Sequence, residues 1–115
     1  MRKATSTNTQ NRRALVETCI AHEALTRLAL RWKVPVLHAV AHGATTYGAL
    51  RRALPQITDQ MLATRLRDLL AEGLVEKDGA DYRTTASGDE LLALIGQVCA
   101  WARRNGSYET AEECA

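Results

Sequence analysis

At 115 residues, with a net charge of +2 and 46% apolar side chains, the chain is sized for one domain around one core. No apolar run approaches the roughly 20 residues that cross a bilayer, and the basic start MRKATSTNTQNRR has no apolar segment behind it, so it is not expected to be a secretory signal. Residues 1–83 carry 13 Lys/Arg against 8 Asp/Glu, whereas residues 84–115 carry 2 against 5, a basic front and an acidic end that suit a protein presenting one face to phosphate.

Residues 1–12 are polar and without periodicity, and are expected to form a disordered N-terminal arm. From Arg13 to Arg31, Leu15, Ile20, Ala24, Leu25 and Leu28 recur at helical steps and predict a first helix, followed by Trp32. Pro35 suits the first turn of a second helix, where its missing N–H costs nothing. That helix carries Val36, Leu37, Val40 and Ala41 and stops at Gly43. Thr46 is a cap for a short third helix, with Tyr47, Leu50 and Leu54 expected inward and Arg51 and Arg52 outward, closed by Pro55.

Ile57 to Lys77 is the most informative stretch. Thr58 precedes a helical pattern and can accept from an unpaired first-turn amide. Met61, Leu62, Leu66 and Leu69 form an apolar face, and Asp59, Gln60, Ala63, Thr64 and Arg67 project from the other side. Gly73 ends the helix because it accepts a left-handed conformation. Two short helices joined by a tight turn, the second polar in front and apolar behind, make a helix-turn-helix. Strand-like pieces at Leu74–Lys77 and Tyr82–Thr84, joined through Asp78-Gly79, make a short wing.

Ser87-Gly88-Asp89-Glu90 reads as a capping box opening a last helix that runs to about Arg104 and stops at Asn105-Gly106. Its Leu91, Leu92, Leu94, Ile95, Val98, Cys99 and Trp101 cover more than half of its circumference. One small domain cannot bury such a helix alone, so a homodimer joined through the N- and C-terminal helices is expected. The domain is expected over residues 13–105, with a flexible tail over 106–115. The fold class is mainly α (α+β): a winged helix-turn-helix with a two-stranded wing.

The ordered set of Cys19, Arg31-Trp32, Tyr47 with Leu50, Ile57-Thr58, Leu62, Leu66, Leu69, Gly73-Leu74-Val75, Tyr82, Thr85, Gly88, Leu91 and Trp101 resembles the HxlR-type branch of bacterial winged-helix regulators. That branch overlaps in architecture with MarR-type proteins, and the resemblance covers roughly residues 17–104. It departs in the wing, where Lys77–Asp81 replaces a longer loop with a proline pair, and at Thr84, where a Leu is usual. The resemblance implies a cytoplasmic DNA-binding transcriptional regulator, a repressor or autoregulator, and no enzyme. The residues agree on the last point, offering no nucleophile–base pair and no Gly-rich phosphate loop. No cofactor is implied.

For double-stranded DNA, Gln60, Thr64 and Arg67 are assigned to base edges, since Gln pairs with adenine and Arg with guanine. Thr58 and Asp59 stand at the helix start, Asp59 as a cap contributor or a cytosine reader. Arg51, Arg52 and Arg83 are phosphate candidates, which position without specifying. Arg65 projects toward the apolar side and is a candidate internal ion-pair partner. The three cysteines, Cys19, Cys99 and Cys114, are odd in number and widely spaced, which is not a secreted disulfide framework. The resemblance implies that Cys19 senses oxidants or small-molecule electrophiles, and a thiol near a helix start is activated as a thiolate; a buried, inert thiol is the alternative.

Two other readings stay open. Cys19 and His22 on the first helix, with His38 and His42 on the second, have metal-ligand spacings, which a metal-responsive repressor would use. The low net charge, the acidic wing and Asp59 also fit a winged helix turned to protein–protein contacts, an adaptor without specific DNA binding. Salt-dependent DNA binding separates that adaptor from a regulator.

Overall fold

Leu62, Leu66 and Leu69 gather the rest of the chain around one helix. The computed structural model describes residues 4–106, with side chains from Gln10 onward. The elements run α1 (Ala4–Leu28), α2 (Lys33–Ala41), α3 (Tyr47–Ala53), α4 (Asp59–Ala71), β1 (Val75–Asp78), β2 (Asp81–Thr84) and α5 (Ala86–Asn105). Val36, Leu37 and Val40 of α2, Leu50 of α3, Ile57, the three α4 leucines, Leu74, Val75 and Tyr82 form the buried core. Leu91 and Leu92 bring the inner face of α5 against it. This is a winged helix-turn-helix.

The expected caps of the second half hold in two of three places. Thr46 accepts from the Ala49 amide and Thr58 from the Met61 amide, both at 3.1 Å. At the far end of α4, the Gly73 amide bonds the Leu70 carbonyl at 3.2 Å and the Leu74 amide bonds the Leu69 carbonyl at 3.0 Å. With Gly73 at φ 73°, this is a Schellman stop.

The cap of α5 is a correction. Ser87 lies inside the helix, and Thr85 is the capping residue, accepting from the Gly88 amide at 3.1 Å. The choice is tertiary: the Thr85 hydroxyl also donates to the Gly73 carbonyl at 2.6 Å, and its amide bonds the Leu74 carbonyl at 3.1 Å. Those bonds draw α5 so close to the start of β1 that a Cβ on Gly88 would stand 2.2 Å from the Leu74 carbonyl oxygen.

The N-terminal half differs more. The expected arm over 1–12 is helical from Ala4, so α1 runs 25 residues. No Gly or Pro interrupts Ala4–Leu28, and extending a helix that already exists needs no new nucleus. The helix ends at Leu28, short of Arg31, and Trp32 then takes φ 72°. That left-handed conformation costs an L-residue roughly 1–2 kcal/mol. Every residue from Gln10 to Arg27 is exposed, so α1 projects from the body. The 18.1 Å radius of gyration exceeds the roughly 13 Å of a compact chain of this length.

The wing is an antiparallel pair in the register Val75↔Thr84, Glu76↔Arg83, Lys77↔Tyr82 and Asp78↔Asp81. Its loop is therefore Gly79-Ala80, one residue later than Asp78-Gly79. The Tyr82 amide also bonds the Thr45 carbonyl at 2.6 Å, which fixes the wing to the loop ahead of α3. No helix among the described residues is long and apolar enough to cross a membrane. The tail expected over 106–115 lies, apart from Gly106, outside the described residues.

Candidate nucleic-acid interface

The surface that could meet a duplex is built by α3, the turn after it, α4 and the wing. Leu50 and Ile57 are buried on either side of the α3–α4 turn, and the Ile57 amide closes it on the Leu54 carbonyl at 3.2 Å. Side chains then set the angle of α4. Arg51 pairs with the Asp59 carboxylate at 2.8 Å and also donates to the Ile57 carbonyl. The Tyr47 hydroxyl donates to the Asp59 carbonyl at 3.1 Å.

Arg51 is thus committed to the turn rather than free for phosphate, and Tyr47, expected inward, is exposed on the outer side of this latch. Partial desolvation and the Asp59 carboxylate push the Tyr47 phenol above its ordinary pKa. Asp59 stands in the first turn of α4, where its charge suits the helix dipole. Its repulsion toward phosphate is offset by Arg51 beside it.

Gln60 and Arg67 are exposed on α4, and Thr64 lies half-buried between them on the same side. Among the described residues, the Gln60 and Arg67 side chains have no hydrogen-bond or ion-pair partner, and Arg52 of α3 has no ion-pair partner. Thr58 is exposed, its hydroxyl used as the cap. The front of α4 therefore offers an amide, a hydroxyl and a guanidinium at consecutive helical turns, the groups that read base edges in a major groove.

Arg83 is paired within the wing, 2.6 Å from Glu76 and 3.9 Å from Asp78. The hydrogen bond and charge of Glu76, with the charge of Asp78, raise its pKa. Lys77 lies over the Tyr82 ring at 5.2 Å. Both wing cations are thus engaged by neighbours, and Asp78 and Asp81 face each other across the ladder.

Arg65 is an internal partner as expected: its Nη1 bonds Asp68 at 2.9 Å and its Nε donates to the Arg31 carbonyl at 2.7 Å. One group has no forerunner in the sequence reading. Lys33 is 1% exposed, with its ammonium 2.7 Å from Glu72 at the end of α4. Nothing in its neighbourhood along the chain marks it, because the partner is 39 residues away.

Cys19 is exposed on α1. Since α1 begins at Ala4, Cys19 stands well inside the helix, beyond the first turn where the dipole acts. Cys19 is therefore not at a helix start, contrary to expectation. Cys99 is half-buried on α5, beside an apolar pocket of about 520 Å³ lined by Pro35, His38, Leu54, Leu92 and Ile95 among others. Cys114 lies outside the described residues. His38 and His42 stack on each other at 4.0 Å between centroids, with His42 Nδ1 2.9 Å from the His38 carbonyl. Among the described residues no group of three or more His, Cys, Asp or Glu side chains is placed to hold a metal ion. Cys19 and His22 sit on the projecting α1, apart from that histidine pair.

Comparison with known proteins agrees with this geometry. Residues 27–110 match the model of the HxlR-like helix-turn-helix family. The chain is similar to YkvN of Bacillus subtilis, named as an HTH-type transcriptional regulator, with 32% identity over 89 residues, 71% of this chain and 75% of that one. Among solved structures it is similar to quinone-bound YodB from B. subtilis, with a TM-score of 0.69 and 28% identity over 73% of this chain and 96% of the other. It is also similar to the redox regulator HypR in its oxidized form, with a TM-score of 0.61 and 26% identity over 78% of this chain and all of that one.

Proposed function

The chain belongs to the HxlR-like helix-turn-helix family and is a transcriptional regulator of that type, and we propose that it represses transcription in the cytoplasm by binding operator DNA as a homodimer. The observation that carries the DNA interface is the front of α4: Gln60 and Arg67 are exposed and uncommitted while the opposite face is buried. Gln60, Thr64 and Arg67 read base edges. Arg52 meets phosphate, with Arg83 released from its exposed wing pairs, while Arg51, Thr58 and Asp59 hold the start of the helix.

The second copy is called for by apolar surface with no partner among the described residues. Leu15, Val16, Ile20 and Leu25 on α1 and Leu94, Val98 and Trp101 on α5 are each more than half exposed. Such surface is what a dimer of this size buries. Cys19 lies on the same α1, and the likeness to a quinone-bound and an oxidized regulator supports a thiol response through it. Modification there would alter the helix that joins the copies.

The test is binding of the purified chain to the duplex upstream of its own gene across a salt series, with and without a thiol oxidant. Tight binding that weakens steeply with salt is expected, together with loss on oxidation that Cys19→Ser prevents. Salt-dependent binding indifferent to oxidant overturns the thiol response and leaves the DNA regulator. No specific binding at any salt by a folded protein overturns the operator reading in favour of an adaptor.

A further inference from the structure

A helix that projects from the body can steer the recognition helix only through something stiff at its base. From Gln10 to Arg27 no side chain of α1 is buried, and its first half-buried residue is Leu28, the last of the helix. Apart from an open groove where Ala24, Arg27 and Leu28 face Glu72, Leu74 and Leu91, α1 is held to the DNA-binding unit by the turn between Leu28 and α2. In that turn Trp32 has the only positive φ of a non-glycine among the described residues. Its side chain packs against the core, and the Arg31 guanidinium lies 5.6 Å from its ring centroid. A bulky residue keeps such a conformation only where its surroundings over-determine it.

Two bonds from α4 supply that determination. Arg65 Nε donates to the Arg31 carbonyl at 2.7 Å, and Asp68 holds the same guanidinium at 2.9 Å. This bond seizes the backbone of the turn, so rotation of a side chain at the turn cannot relax it. Lys33, 1% exposed, meets Glu72 at 2.7 Å. With so little of Lys33 exposed, opening the pair leaves a buried charge without its partner. Arg65 and Glu72 stand about two turns apart along α4, roughly 10 Å. One bond would leave α4 free to pivot about it; two so separated fix both its tilt and its rotation against the turn.

We propose that Arg31–Trp32–Lys33 is the joint through which the orientation of α1 sets that of the recognition helix, with Arg65 and Lys33 as positioning residues for DNA binding. The inference rests on the homodimeric reading above. In that dimer α1 and α5 join the copies, and the two joints fix how far apart and at what angle the two α4 helices are presented. A change at α1 reaches DNA by this route without any movement of the core.

The experiment uses the full chain carrying Cys19→Ser, Cys99→Ser and Cys114→Ser, with a nitroxide label on Gln60→Cys. The distance between the two labels of the dimer is measured by electron–electron double resonance without DNA. The parent is expected to give one narrow distribution. Lys33→Met with Arg65→Leu, substitutions that keep the buried volume apolar, is expected to broaden it while helical circular dichroism stays unchanged. Arg65→Leu alone frees the Arg31 carbonyl and leaves the Lys33–Glu72 pair intact, so it serves if the double variant does not fold, and a smaller broadening is expected. Distributions as narrow as the parent's in folded variants overturn the joint and leave the homodimer standing. No dipolar coupling in the folded parent overturns the homodimer, and the joint with it.

Discussion

The two helices that matter most to this protein are held in opposite ways. α4 is 13 residues long and is fixed by its own chain on every side. It has three buried leucines, a threonine cap, a glycine stop, and side-chain bonds to the α3–α4 turn and the α1–α2 turn. α1 is nearly twice as long, at 25 residues, yet from Gln10 to Arg27 it buries no side chain. Length does not fix a helix in place, since even favourable isolated helices are marginal in water. What fixes it is where its apolar residues find partners. Those of α4 find them within the chain, those of α1 from Leu15 to Leu25 find none among the described residues, and α5 divides its leucines between the core and the outside.

The sharpest way to break that contrast is to remove one side chain from each. Leu62→Ala, at a site with no exposure, is expected to cost about 2–5 kcal/mol in urea unfolding, because it leaves a cavity. Ile20→Ala, at 63% exposure, is expected to change stability by about 0.5 kcal/mol or less in dilute protein. Its cost should grow as concentration drives the copies together. Equal costs in dilute solution would place α1 against its own body and remove the case for a second copy.

α5 allows the same comparison within one helix, through two glycines. At Gly88 a Cβ would stand 2.2 Å from a backbone oxygen, whereas at Gly96 nothing lies within 4 Å. Gly88→Ala must push α5 off the wing and is expected to lower stability by about 1–3 kcal/mol. Gly96→Ala should raise it by up to about 1 kcal/mol through the better helix propensity of alanine. Thermal unfolding of the two variants checks both signs. A neutral Gly88→Ala would mean that the Thr85 bonds do not hold α5 against Leu74.

What the sequence disclosed follows the same division. α4 was legible because its cap, its apolar spacing and its stop are local, and each signal agreed with the others. The start of α1 was not, because Ala4–Gln10 holds no breaker and its polar composition argues for a loop as easily as for a frayed helix. At the head of α5, Thr85 and Ser87 offer equivalent hydroxyls, and only the Gly73 carbonyl, brought near by the fold, decides between them. Arg51 faces outward on a helical wheel, but the wheel does not show Asp59 arriving from the next helix. Lys33 looks like any surface lysine until Glu72 is known to be beside it. In the last three failures the deciding partner came from another element.

The finest test of that lesson sets Arg51 against Arg52, adjacent residues that look alike in the sequence. Arg52 is exposed and without an ion-pair partner among the described residues; Arg51 is 34% exposed and bonded to Asp59 and to the Ile57 carbonyl. Each phosphate contact adds about 0.9 to the slope of log affinity against log salt, because it displaces a counterion. Arg52→Gln, which removes one contact from each copy of the dimer, should therefore lower that slope by about two and weaken binding most at low salt. Arg51→Gln should leave the slope nearly as it was and weaken binding by a similar factor at every salt, since what it loses is the fixed start of α4. It also bares the Asp59 carboxylate toward the phosphates, so Asp59→Asn added to Arg51→Gln should recover part of the loss. If Arg51→Gln instead lowers the slope as much as Arg52→Gln, then Arg51 lets go of Asp59 on DNA. The latch would then belong to the free protein alone, and α4 would be held in the complex by the DNA rather than by its own turn.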